Sequence, residues 1–130
     1  MARGKFITLY GINNIGKTTH AKRLCRRLID HGVRAEFLKY PIYEILPTGG
    51  VLNKILRSGE AQTIGEEELQ MWFALNRFQF EPKLKKLLDS GVCVVAEDYC
   101  GTGIGWGMTK GADRKWLEDI NRPLLQADFS

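Results

Sequence analysis

Histidine, cysteine and proline are scarce in this 130-residue chain, with 2, 3 and 4 copies. His20 and His31 have no paired partner at a useful spacing, so neither carries an assignment. Cys25, Cys93 and Cys100 are odd in number and lack metal-ligand spacing. That argues against a disulfide framework and reads as reduced thiols in a cytoplasmic protein. No apolar run approaches the ~20 residues that span a bilayer. Met1 to Lys5 lead straight into a strand-like run, which does not read as a signal peptide. Repeats, low-complexity tracts and linkers long enough to divide the chain are also lacking, so residues 1–130 read as one domain. Charge is mild: 19 Lys+Arg against 15 Asp+Glu give net +4, which suits an anionic small molecule as well as nucleic acid. The 44% of hydrophobic and 26% of charged residues are ordinary globular usage and exclude disorder.

The apolar pattern then supplies elements. Lys5 to Tyr10 is short and β-favouring and reads as a strand, followed by a Gly/Asn-rich turn over 11–16. From Lys17 to His31, Ala21, Leu24, Cys25 and Leu28 recur at helical spacing, with Lys22, Arg23, Arg26 and Arg27 on the other side. Val33 to Lys39 reads as a second strand, Tyr40 to Gly50 as a loop, and Val51 to Arg57 as a short helix. Glu66 to Leu88 is the longest periodic segment, with a kink or break expected at Pro82. Val92 to Ala96 is apolar throughout, as in a strand buried on both faces of a parallel sheet. The Gly-rich run from Gly101 to Gly111 reads as a ligand-facing loop, and Asp113 to about Leu125 as a helix. Asp128-Phe129-Ser130 reads as a strand just beginning, as in an N-terminal portion of a longer fold. Strands alternating with helices predict an α/β fold, a parallel sheet flanked by helices in three α/β/α layers, with its last strands missing.

The strongest chemical signal is Gly11-Ile12-Asn13-Asn14-Ile15-Gly16-Lys17-Thr18, a complete G-x-x-x-x-G-K-[ST] between a strand and an amphipathic helix. Its glycines let the backbone wrap a phosphate, and the helix start adds unpaired N–H groups and a positive dipole end. Lys17 would bridge the terminal phosphates and the Thr18 hydroxyl would meet Mg²⁺, with Thr19 completing an ATP-binding set that begins at Gly11. This is a P-loop NTPase-type motif. Glu97-Asp98 ends the buried strand, where ligands of open parallel sheets bind. Glu97 is the one expected to point inward as the second metal-side acid and catalytic partner of Lys17. Phe73 and Arg77, at i and i+4, share a face on which an aromatic plane and a guanidinium could meet a base. The basic face of the first helix reads as a solvated surface, and nucleic-acid binding rests on it and the net charge alone.

Together these residues resemble the thymidylate kinase family of nucleoside monophosphate kinases. The resemblance rests on the P-loop, on Trp72-Phe73-Ala74-Leu75-Asn76-Arg77-Phe78 leading to Phe80-Glu81-Pro82, and on Asp89 to Tyr99. It implies transfer of the γ-phosphoryl group of ATP to dTMP with Mg²⁺, Phe73 stacking on the thymine ring and Arg77 contacting the base. It further implies an acceptor pocket lined by Tyr99, Thr102, Gly103 and Trp106, with Tyr43, Asn76 and Asp98 completing the substrate set. Family members are commonly homodimers, and the long helix would be the contact surface. Their arginine-rich lid and adenine-contacting loop would lie past Ser130.

Three departures qualify the resemblance. Glu97-Asp98 stands where the family has Asp-Arg, so an acid replaces a phosphate-handling arginine. The loop Tyr40-Pro41-Ile42-Tyr43-Glu44 lacks the family's arginine, and the P-loop carries Asn13 and Asn14 where a charged residue is common. Arg57, Lys39, Lys54 or Arg114 are the available substitute cations. The Tyr-Pro-x-Tyr loop, the Pro-Thr-Gly step and the Ala-Glu-Asp-Tyr strand end resemble a divergent bacterial subgroup of the family. Two rival readings stay open: a kinase for another nucleoside or nucleotide, and a non-catalytic nucleotide-binding fragment.

Overall fold

Three short apolar segments form one parallel sheet. They are β1 (Phe6–Leu9), β2 (Ala35–Lys39) and β3 (Cys93–Glu97), in the order β1-β3-β2. The computed structural model describes residues 3–9, 16–58 and 64–129, without the side chains at 17, 58, 101–103, 105 and 106. Among the described residues, five helices connect and cover the strands: α1 (Lys17–Asp30), α2 (Thr48–Ser58), α3 (Glu66–Asp89), α4 (Cys100–Thr109) and α5 (Arg114–Asn121). In register, Leu9 of β1 and Lys39 of β2 both stand beside Glu97 of β3. The carboxyl ends of all three strands are therefore level, and the loops leaving them share one end of the sheet.

Alternation along the strands divides the core in two. Val95 packs with Ala21 and Cys25 of α1, joined by Ile7, Leu9 and Phe37. Phe6, Val94 and Ala96 face the other way, onto Phe80, Leu84 and Leu88 of α3. Four of the five residues of β3 are buried, which accounts for its unbroken apolar composition.

α3 continues through Pro82 without a break. An interior proline costs about 3 kcal/mol. Burying Phe80, Leu84 and Leu88, on turns before and after the exposed Pro82, returns roughly 1.5–3 kcal/mol each and holds both halves on one core. The Gly-rich run is also not a loop: Cys100–Thr109 is helical. At Gly107 a Cβ would lie 2.8 and 2.9 Å from the two Leu117 methyl carbons, so glycine is what lets α4 press against α5. The following helix stops at Asn121, short of the expected Leu125, because Pro123 follows within two residues. Its start is fixed by Asp113, whose carboxylate accepts from the Trp116 N–H at 3.0 Å.

Asp128 and Phe129 run beside the free edge of β1, as the expected strand start requires. Ile7 and Phe129 form a parallel bridge, and the Thr8 N–H donates to the Phe129 carbonyl at 2.9 Å. The Asp128 carboxylate accepts from the Phe6 N–H at 2.8 Å and pairs with Arg3 at 3.2 Å. The Phe6 hydrogen bond, ahead of Arg3, holds the Asp128 carboxyl below its ordinary value of 3.8. A depressed carboxyl stabilises the fold above its unfolded pKa and loses that contribution as pH falls through the folded one. Asp128→Ala is therefore expected to melt below wild type at neutral pH, with the gap narrowing as pH falls below the ordinary carboxyl value. Thermal melts across pH 2–7 check this, and a gap that persists in acid contradicts it.

Candidate functional site

α1 is entered through Gly16, whose φ of 79° is left-handed and open to glycine at no steric cost. Gly16 caps α1 with no side-chain hydrogen bond, and the first turn of α1 carries no acidic residue. The start of this 14-residue helix thus presents backbone donors and the positive end of its dipole. Gly11, Ile12, Asn13, Asn14 and Ile15 lie outside the described residues. So does the Lys17 side chain. Thr19 is exposed on the first turn.

In the first turn of α1, Thr18 reaches the end of β3. Its hydroxyl donates to Glu97 Oε2 at 2.7 Å. Glu97 is fully buried, and its other oxygen, Oε1, has no hydrogen-bond partner among the described residues. Strand parity explains the pairing: Glu97 points to the same face as Val95, the face that α1 covers. Asp98 turns away from the strand with a φ of 65°, rare for a residue with a Cβ, and its N–H reaches the Leu9 carbonyl at 3.3 Å.

The N-terminal half of α3 buries polar side chains, whereas its C-terminal half buries apolar ones. Asn76 is fully buried, and its carboxamide is spent on the loop after β2. It accepts from the Ile42 N–H at 2.7 Å and donates to the Ile42 carbonyl at 2.8 Å and to Thr48 Oγ1 at 3.1 Å. Gln79 adds a second clamp, accepting from the Thr48 N–H and hydroxyl and donating to the Leu46 carbonyl. Asn76, expected among substrate contacts, positions this loop instead. A Cβ at Gly49 would lie 2.4 Å from the Tyr43 carbonyl oxygen, so the loop and α2 touch backbone to backbone. Tyr43 is half-buried on that loop, with the Arg57 guanidinium 5.9 Å from its ring centroid. Burial raises the Tyr43 phenol, and Arg57 lowers it to a smaller degree. Of the other candidate cations, Arg114 is spent on an exposed pair with Glu118 at 2.6 Å.

Arg77 is 4% exposed and donates to Asn121 Oδ1 at 2.7 Å. Burial pulls its guanidinium below the ordinary value, opposed by the fields of Cys100, Tyr99, Tyr40 and Asp98. Those neighbours place Arg77 at the carboxyl end of β3. Phe73, one turn earlier, is half-buried. Tyr99 departs from the expected pocket lining. Its ring packs 5.0 Å from those of Phe6 and Tyr40, and its hydroxyl donates to the Leu125 carbonyl at 2.9 Å. Burial in that cluster lifts the Tyr99 and Tyr40 phenols above their ordinary range. Thr102, Gly103 and Trp106 fall on α4, and their side chains lie outside the description. Two residues were missed: Gln79, three positions after Asn76 on the same helix, and Asn121, one turn after the buried Leu117. Their helical spacing is the only signal that could have found them.

Comparison with known proteins decides the family. A family model described as thymidylate kinase matches residues 9–128. The chain belongs to the thymidylate kinase family. It is 29% identical to the human thymidylate kinase and 25% identical to that of Schizosaccharomyces pombe, over 98% of this chain and 59% of each relative. The probable thymidylate kinase of Thermococcus kodakarensis is 28% identical, over 95% of this chain and 63% of the relative. The chain thus spans less than two thirds of the length of these curated relatives. In fold it is similar to thymidylate kinases from Ehrlichia chaffeensis and Candida albicans, with TM-scores of 0.81 and 0.75 at 22% identity. Those likenesses cover 96% and 99% of this chain, and 70% and 63% of the solved ones.

The Asn76 clamp yields a stability test. Asn76→Leu leaves the Ile42 N–H and carbonyl without their partner in a buried position. Each buried unsatisfied group costs about 1–3 kcal/mol, so urea unfolding should show a loss of roughly 2–5 kcal/mol. A loss under about 1 kcal/mol would mean the loop finds other partners.

Proposed function

We propose that this thymidylate kinase-family chain transfers the γ-phosphoryl group of ATP to a nucleoside monophosphate, dTMP first, with Mg²⁺ as the metal. The observation that carries the reading is the Thr18–Glu97 hydrogen bond at 2.7 Å, directly behind the G-x-x-x-x-G-K-T turn. The donor set fits a hard cation. Glu97 keeps a buried carboxylate oxygen without a partner among the described residues, and an unpaired buried anion is costly. Thr18 and Glu97 supply the oxygen donors that Mg²⁺ prefers, and when bound the ion neutralises charge on the phosphates. Lys17, from the same motif, supplies cationic charge to the transferring group. The start of α1 binds phosphate through its backbone N–H groups. Phe73 and Arg77 orient the acceptor base, and positioning with charge neutralisation carries the reaction rather than covalent chemistry.

Exposed Met71 and Leu75 on α3 support that helix as the surface of a homodimer. The three free thiols, Cys25, Cys93 and Cys100, fit a cytoplasmic protein. Among the described residues no helix is long and apolar enough to cross a membrane.

Asp98 favours one second reading. A carboxylate where the family has arginine repels a phosphate dianion, so an uncharged nucleoside is the rival acceptor. Coupled ADP release from Mg-ATP, with and without dTMP, tests the first reading. Lys17→Ala is expected to lower dTMP-dependent release by roughly 100-fold or more. ATP hydrolysis that ignores dTMP and Lys17 overturns the reading, and preference for thymidine over dTMP replaces the acceptor. Glu97→Gln, which keeps shape but not charge, should melt near wild type and bind Mn²⁺-ATP about tenfold or more weakly by electron paramagnetic resonance. Undiminished Mn²⁺ binding removes Glu97 from the metal site.

A further inference from the structure

The buried cation Arg77 is held by a neutral side chain on a different helix. Asn121 of α5 is 3% exposed, accepts from Arg77 Nη1 at 2.7 Å and donates through Nδ2 to the Leu117 carbonyl at 2.8 Å. The second bond fixes the amide, because a flipped Asn121 would aim its N–H₂ at the guanidinium and its oxygen at a carbonyl. α5 is itself anchored, by the Asp113 cap at one end and by Leu117 against Gly107 of α4. A guanidinium is a rigid plane with five N–H donors, so pinning Nη1 sets the direction of the others. They lie at the carboxyl end of β3, within the fields of Asp98, Tyr99, Tyr40 and Cys100.

We infer that Asn121 is the positioning residue for Arg77, holding the guanidinium plane against α5 so that its remaining donors serve the acceptor nucleotide. The inference rests on the proposed function for the role of Arg77, and on the structure alone for the tether.

Steady-state kinetics of the purified protein and its Asn121→Leu and Asn121→Asp variants, with dTMP and ATP varied separately, test it. Leucine approximates the shape of asparagine without the acceptor, and aspartate keeps the acceptor oxygen. The KM for dTMP should rise about 10-fold or more in Asn121→Leu and stay within about 3-fold of wild type in Asn121→Asp. The KM for ATP should hold in both. Equal changes in the two variants, or dTMP and ATP constants rising together, overturn the inference, since a residue that only builds α5 would behave that way. Where Asn121→Leu does not fold, side-chain nitrogen NMR of the wild type decides. Resolved, slowly exchanging Arg77 Nη signals that move on adding dTMP support the tether, and averaged signals overturn it. Wild type without any acceptor-dependent ADP release retires the proposed function instead, and the Arg77 signals then judge the tether separately.

Discussion

β3 is hydrogen-bonded to β1 on one edge and to β2 on the other, and buried on both faces, so its register organises everything packed around it. Its register decides which way each side chain points. Val94 and Ala96 enter the α3 core, Val95 enters the α1 core, and Glu97 follows Val95 by parity. That parity is what puts a carboxylate against Thr18. A slip of one residue would send Glu97 into the apolar core under α3 and bring Ala96 to α1. The parallel register of β3 with β1 and β2 thus sets the chemistry at the end of the strand.

The second organising feature is the division of labour along α3. Toward its C-terminus, Phe80, Leu84 and Leu88 attach the helix to the sheet. Toward its N-terminus, Asn76 and Arg77 are buried polar groups, each costly unless bonded. Asn76 resolves that cost by holding the backbone of the loop after β2, and Arg77 by bonding to α5. One helix therefore sets the distance between two elements that have no sequence proximity to each other. Aromatic packing of Phe6, Tyr99 and Tyr40 closes the space between them, and the high phenol pKa values there keep both tyrosines neutral.

The α/β class and the parallel sheet were legible because each is local, carried by periodicity and strand composition. Glu97 was legible as the inward acid because it ends an apolar strand in phase with Val95. The Gly-rich run misled, since low intrinsic helix propensity in Cys100–Thr109 yields to a packing contact, Gly107 against Leu117, that composition does not reveal. Pro82 misled for the converse reason: its local cost is smaller than the burial on the opposite side of α3.

Local sequence thus accounts for the strand and helix alternation and for the family to which the chain belongs. Tertiary structure alone decided which polar residues work on the chain itself. Asn76 and Tyr99 share motifs with candidate ligand contacts, yet their polar groups are used by Ile42, Thr48 and Leu125. Arg77 took its partner from Asn121, 44 positions away. A hydrogen bond between distant residues leaves no periodic trace in the chain, because it is fixed by how helices pack and not by how they form.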